Sequence, residues 1–176
     1  MIAAFACAGA QDSRPSASVS DIHRVDFRNF VYAPSDLARN EKYKEVRARN
    51  GRFVRHHVDF RVAGVTFGRV TGVDEEAALA WSECCTGGSG VFTEGYVFIM
   101  RGGKPVLLTR IPGSDRASGG ICDVRAQDGL IRVGQYGTTG GSCCPEWIET
   151  TAYRLNSGRL VQVGEVTKRK YQEWSR

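Results

Sequence analysis

Val54, His56, Val58, Phe60 and Val62 share one parity along the chain, while Arg55, His57, Asp59 and Arg61 share the other. No helix produces a period of two, so this stretch predicts a half-buried strand with Val58 and Phe60 in the core. On that parity His56 is a hydrogen-bonded core residue and His57 a surface one. Tyr96-Val97-Phe98-Ile99-Met100 is apolar on both parities, the pattern of a central strand covered on both sides.

Shorter segments follow the same logic. Val25, Phe27, Phe30 and Tyr32 mix aromatics with polar residues and predict a first strand that Pro34 ends. Ser35 to Tyr43 predicts one short helix capped by Ser35, with Leu37 beneath it. Glu76 to Trp81 is assigned as a strand, and Val106-Leu107-Leu108 follows the turn Arg101-Gly102-Gly103-Lys104. Cys122, Val124 and Ala126 alternate with Asp123, Arg125 and Gln127; the chain then turns at Asp128-Gly129 and returns from Leu130 to Tyr136. Ala152 to Leu155 and Leu160 to Val163 bracket Asn156-Ser157-Gly158-Arg159, and Asn50-Gly51 marks a further hairpin by its readiness to adopt positive φ. Successive hairpins of this kind imply a mainly β fold: a single antiparallel meander or sandwich-like domain with at most one short helix.

Composition agrees with that pattern. Twenty-one glycines stand against five prolines, and a chain of 176 residues with 41% hydrophobic content buries one good core. No apolar run is long enough to cross a membrane as a helix. The opening Met1-Ile2-Ala3-Ala4-Phe5-Ala6-Cys7-Ala8-Gly9-Ala10 has the character of a shortened export signal. Ala8-Gly9-Ala10 suits a small-residue cleavage site, and Ala4-Phe5-Ala6-Cys7 loosely matches the box ahead of a lipid-bearing cysteine, which makes Cys7 a candidate anchor. The domain organisation expected is therefore 1–22 as signal remnant and flexible arm, 23–167 as the β domain and 168–176 as a polar tail. The location expected is periplasmic or extracellular, with a lipid on Cys7 as the membrane attachment.

Charge adds a candidate surface. The net charge is +5, and from Arg39 to Arg61 the cations Arg39, Lys42, Lys44, Arg47, Arg49, Arg52, Arg55 and Arg61 outnumber Glu41, Glu45 and Asp59. This stretch is either the wet side of a strand and hairpin or a contact surface for an acidic partner or an anionic membrane face. Arg52, Arg55, His57 and Arg61 are the partner-surface candidates. No nucleic-acid motif accompanies them, so nucleic acid is not an expected partner.

Six cysteines stand at Cys7, Cys84, Cys85, Cys122, Cys143 and Cys144. In an oxidising compartment the last five favour disulfides, most readily from Cys85 to Cys143 or Cys144 across two glycine-rich loops, with Cys84–Cys122 as a second bond. Zinc or copper would need thiolate ligands without the usual spacing, helped only by His23, His56 and His57, so no metal or other cofactor is expected. A redox role would use the fifth thiol or a vicinal pair, yet no Cys-x-x-Cys occurs. No Gly-x-Ser-x-Gly marks a hydrolase nucleophile. With no catalytic constellation, the expectation is a non-enzymatic domain that binds a protein or a cell-envelope polymer, inhibitor-like or immunity-like in type. A cysteine-dependent redox enzyme of the envelope is the alternative.

Asp26-Phe27-Arg28-Asn29-Phe30-Val31-Tyr32, Val65-Thr66-Phe67-Gly68, Cys85-Thr86-Gly87-Gly88, Asp115-Arg116, Cys143-Cys144-Pro145 and Tyr153-Arg154 together resemble secreted bacterial β-domains of the LppP/LprE lipoprotein type. The resemblance covers most of residues 24 to 165. It implies an envelope or secreted protein of undefined activity, with no catalytic residues to carry over. It also implies an acidic, calcium-loop-like stretch ahead of Glu75-Glu76-Ala77. Here Arg69 and Val73 stand at the two acidic positions, so calcium binding is not expected.

Overall fold

Eleven strands in three antiparallel sheets account for most of the described chain. They are seen in a computed structural model, which describes residues 21–37, 42–72, 75–138 and 145–171. β1 (Val31–Tyr32) and β2 (Val46–Arg47) form a small pair. β3 (Arg52–Arg55), β4 (Val58–Arg69), β5 (Glu76–Cys85), β6 (Phe92–Arg101) and β7 (Lys104–Ile111) follow one another across a five-stranded sheet. β8 (Ile121–Gln127), β9 (Leu130–Gly137), β10 (Trp147–Asn156) and β11 (Arg159–Lys170) make a second sheet, also in sequence order. The fold is thus the mainly β meander that the hairpin signals imply, and its helical content among the described residues is limited to 3-10 turns.

The five-stranded sheet is covered on both faces. On one face Val58, Phe60, Val62, Ala78, Ala80, Tyr96 and Phe98 meet Ile22, Phe27, Tyr32, Leu37, Tyr43, Val46 and Ala48 from the N-terminal segment. On the other, Ala77, Leu79, Val97, Ile99 and Ile111 meet Ile121, Val124, Ile131 and Val133 of the second sheet. β6 is therefore the doubly covered strand that its apolar run predicts. The sheets approach closely where β4 passes β8: a Cβ on Gly68 would lie 2.3 Å from that of Ala126, so only glycine fits there. Beside it the Thr66 hydroxyl donates to the Val124 carbonyl at 2.8 Å.

Four expectations need correction. The strand predicted from Val25 to Tyr32 is mostly 3-10 turn, because the Asp26 carboxylate accepts from the backbone N–H of Arg28 at 3.0 Å and of Asn29 at 3.2 Å. Only Val31 and Tyr32 pair as a strand. The helix expected from Ser35 is a single 3-10 turn, Ser35–Leu37, and 38–41 lie outside the described residues. The continuous strand from Val54 to Val62 is broken at His56-His57, where His56 adopts φ 52° and the pair turns β3 into β4. His56 is exposed, and so is Val54 at 58%. Finally, ordered structure includes the fully buried Ile22, and β11 runs to Lys170, past the boundary expected at 167. By contrast, the Asn50-Gly51 turn is present, with φ of 51° and 81° at its two residues.

Candidate functional site

The thiols are scattered by strand geometry. Cys84 and Cys85 are consecutive in β5 and so face opposite sides of the sheet: Cys84 lies in the core beneath the N-terminal cover, and Cys85 is half-buried on the other side. Cys122 does not share a face with Val124, as alternation would require, because a bulge between Ile121 and Asp123 turns it outward. Its sulfur sits near Gly134 and Ile148, on the side of the second sheet away from the inter-sheet core. Two sheets therefore separate Cys84 from Cys122, and the second disulfide expected from sequence is not formed. Cys84, Cys85 and Cys122 are free thiols, so the bond expected from Cys85 is not formed either. Cys7, Cys143 and Cys144 lie outside the described residues.

Burial, with smaller contributions from Asp36 and other nearby acids, pushes the Cys84 thiol up to about 12. Burial, then Asp123, pushes Cys122 up to about 11. Cys85 is raised as well, by burial first and then by Asp59. All three are protonated at neutral pH, the opposite of an activated sulfur nucleophile.

The basic candidates also divide. Arg52 of β3 lies directly opposite Arg61 of β4, and both guanidinium groups close on Asp59: Arg52 at 2.9 and 2.7 Å, Arg61 at 3.1 Å. These bonds, Arg52's first, hold the Asp59 carboxyl down at about 2. Arg55 is on the other parity of β3 and points to the other face, exposed and without an ion-pair partner. His57 is in the turn, with its ring edge-on to Tyr43 at 6.1 Å and its Cβ against Gly87. The surface expected from Arg52, Arg55, His57 and Arg61 together is therefore not one face, since the turn at His56-His57 and strand parity separate its members.

The structure assembles a different basic corner. The backbones of Arg49 and Arg52 bond to each other across the Asn50-Gly51 turn. Gly51 N–H donates to the Arg28 carbonyl at 2.7 Å, and the Arg28 guanidinium lies over that glycine. Arg28, Arg49, Arg52 and Arg61, all exposed, thus surround one turn whose Gly51 is buried. Asp59 answers two of them, while Asp26 is engaged in capping Arg28 and Asn29. Sequence reading placed Arg49 only in the wider basic stretch and missed Arg28. The signal was present: Asp26 two residues before Arg28 predicts a local cap, and Asn50-Gly51 places its neighbours face to face.

A second polar cluster was also missed. Glu94 on β6 is 8% exposed and accepts from the backbone N–H of Ser35 at 3.1 Å and from its hydroxyl. Arg110 of β7 approaches Glu94 at 3.5 Å and donates to the Ala33 carbonyl at 2.7 Å. These contacts fasten the cover to the sheet and bring no histidine or thiolate to the Ser35 hydroxyl.

Between the sheet ends, Gly68, Arg69, Glu76, Ala126, Gln127, Asp128 and Gly129 line an open cleft of about 330 Å³. Its acid Glu76 pairs with His23 at 2.7 Å, and the neighbouring Glu75 pairs with Arg101 at 2.7 Å. Val73 and Asp74 of the altered loop lie outside the described residues. No group of three or more metal-ligating side chains converges among the described residues, and no helix there is long and apolar enough to cross a membrane. No protein-family model, curated protein or solved structure matches the chain.

Proposed function

We propose that this chain is a non-enzymatic secreted or periplasmic domain that holds an anionic protein or polymer partner at the basic corner of Arg28, Arg49, Arg52 and Arg61. The observation that carries the reading is their arrangement around the Asn50-Gly51 turn, where two backbone bonds between Arg49 and Arg52 fix the spacing of those two residues. Guanidinium groups so placed favour carboxylate, sulfate or phosphate groups, and they retain charge at any physiological pH. Export through the N-terminal segment, a lipid on Cys7 and likeness to LppP/LprE-type lipoproteins belong to the same proposal and rest on sequence.

The redox alternative gains nothing from Cys84, Cys85 and Cys122, whose thiols are raised and face three different environments. Retention on an immobilised anionic polymer, heparin for example, tests the binding reading. The full chain is expected to elute at clearly higher salt than the R49E/R52E variant, while R125E on the second sheet elutes with the parent. Equal elution of all three removes the basic corner from the proposal.

A further inference from the structure

The two larger sheets end in four edge strands, and three of these are protected. β3 is only four residues long, β7 carries Pro105, and β8 has its Val124 carbonyl occupied by the Thr66 hydroxyl of the facing sheet. Short length, proline and cover are the ordinary means by which a sheet avoids pairing with another chain. Among the described residues β11 has none of these three; its guards are the other two that sheets use, charged side chains and a bulge, which oppose a like-charged neighbour and leave an acidic strand admissible. It spans twelve residues, pairs with β10 alone, and is exposed along most of its length, including Val161 at 50% and Val166 at 40%.

The strand is already formed and held at both ends. Its start is fixed by the Ser157-Gly158 turn, and at its end the Tyr171 N–H donates to the Glu146 carbonyl at 2.8 Å while the Tyr171 ring stands edge-on to Tyr136. The irregularity between Thr150 and Ala152, with Gly164 at φ 72°, divides the edge into 159–163 and 167–170 without ending either ladder. Ordering costs on binding fall when the receiving strand is already formed.

Charge selects the occupant. β11 carries Arg159, Lys168, Arg169 and Lys170 against Glu165 alone. Lys168 is engaged by Glu149 at 2.8 Å and by the face of Trp147, whereas Arg169 and Lys170 have no ion-pair partner among the described residues. A second copy pairing antiparallel along β11 would place Arg159 near Lys170, and in parallel register it would stack lysine on lysine, so like charges oppose self-pairing. The same cations favour an acidic strand.

We propose that the free edge of β11 receives an extended acidic segment of a protein partner as a fifth strand of the second sheet. Main-chain hydrogen bonds along 159–163 and 167–170 supply the affinity, and because Arg169 and Lys170 face opposite sides of the sheet, carboxylates on either face of the incoming strand meet one of them. This surface is separate from the basic corner at Arg49 and Arg52 and does not depend on it.

The test uses isotope-labelled full chain and a synthetic peptide of about eight residues alternating Glu and Val, a typical strand length. Expected are amide shifts and slowed hydrogen exchange confined to 159–170, and no response to a peptide alternating Lys and Val. Reversal at R169E and K170E should weaken binding roughly ten-fold, an effect in the range of paired interface charges, while R49E/R52E leaves it unchanged. A peptide of equal charge with proline at every second position cannot donate the ladder bonds, so equal binding of that peptide overturns the proposal. Shifts centred on Arg49 and Arg52 overturn it too, yet leave the basic-corner reading standing. Self-association of the unliganded chain through β11 would assign the edge to a second copy and reject the acidic partner.

Discussion

The two faces of the five-stranded sheet are filled with different kinds of side chain. Under the N-terminal cover the core is aromatic: Phe27, Tyr32, Phe60, Tyr96 and Phe98 lie with ring centroids 5.1 to 6.1 Å apart in successive contacts. Between the sheets it is aliphatic, with Leu79, Val97, Ile99, Ile111, Ile121, Val124, Ile131 and Val133. Two sheets present regularly spaced rows, and branched side chains interlock along them. The cover is built of 3-10 turns and a two-residue strand pair, so its spacing is irregular and large rings bridge the gaps. Irregular backbone must then be secured by polar contacts. The Tyr32 hydroxyl donates to the Phe27 carbonyl at 2.7 Å, and Ser35, Glu94 and Arg110 fasten the next turn.

That contrast is most exposed to test at Phe60, which is fully buried. Phe60→Ala should cost about 3–5 kcal/mol in chemical denaturation, because the fixed rings around it collapse poorly into the space. A loss near 1 kcal/mol would mean that the cover adjusts freely. Ser35→Ala tests the latch. About 1–2 kcal/mol should be lost as a hydrogen bond to the buried Glu94 carboxylate goes, and native-state hydrogen exchange should quicken at Val31, Tyr32 and Val46 before it quickens in β9. Uniform quickening would show that cover and sandwich open as one unit.

On the aliphatic side, Ile131→Val removes one methylene and should cost only about 0.5–1.5 kcal/mol. Exchange in the cover should then be unaffected, and a coupled change there would join the two cores. The smallest effect concerns Asp59, on the face away from the cover. Its carboxyl is lowered by Arg52 and Arg61, so its contribution is complete above the ordinary aspartate value near 4 and is lost as pH falls toward about 2. Solvent around the two arginines limits the amount to under about 1 kcal/mol. Asp59→Asn should flatten the acid limb of the stability profile across that window, and an unchanged limb would remove the triad from the account.

The sandwich was legible because its signals are local. Alternation at Val58, Phe60 and Val62, the apolar run of β6 and the turns at Asn50-Gly51 and Asp128-Gly129 all state their own geometry. The cover was not legible, since aromatics at Phe27, Phe30 and Tyr32 are equally at home in a strand and in a turned segment packed on one. The capping carboxylate of Asp26 decides between these. A single bulge, unmarked in sequence, moved Cys122 to the wrong side for its expected partner. Two residues with the parity of a strand, His56 and His57, became a turn and divided the basic face. The basic corner was half visible: Arg52 and Arg61 follow from pairing, whereas Arg28 joins through a backbone contact that sequence spacing does not encode.

The order of strands within each larger sheet repeats their order along the chain, so every ladder there joins strands consecutive in sequence. Closing such loops costs little chain entropy, and each hairpin forms without waiting for a distant segment. Docking is the long-range step: Thr66 and Val124, 58 positions apart, join the two sheets, while Ser35 and Glu94, 59 apart, and Ala33 and Arg110, 77 apart, join the cover to the first. Substitutions at the Gly68–Ala126 contact should therefore slow refolding after a denaturant jump more than those at any turn.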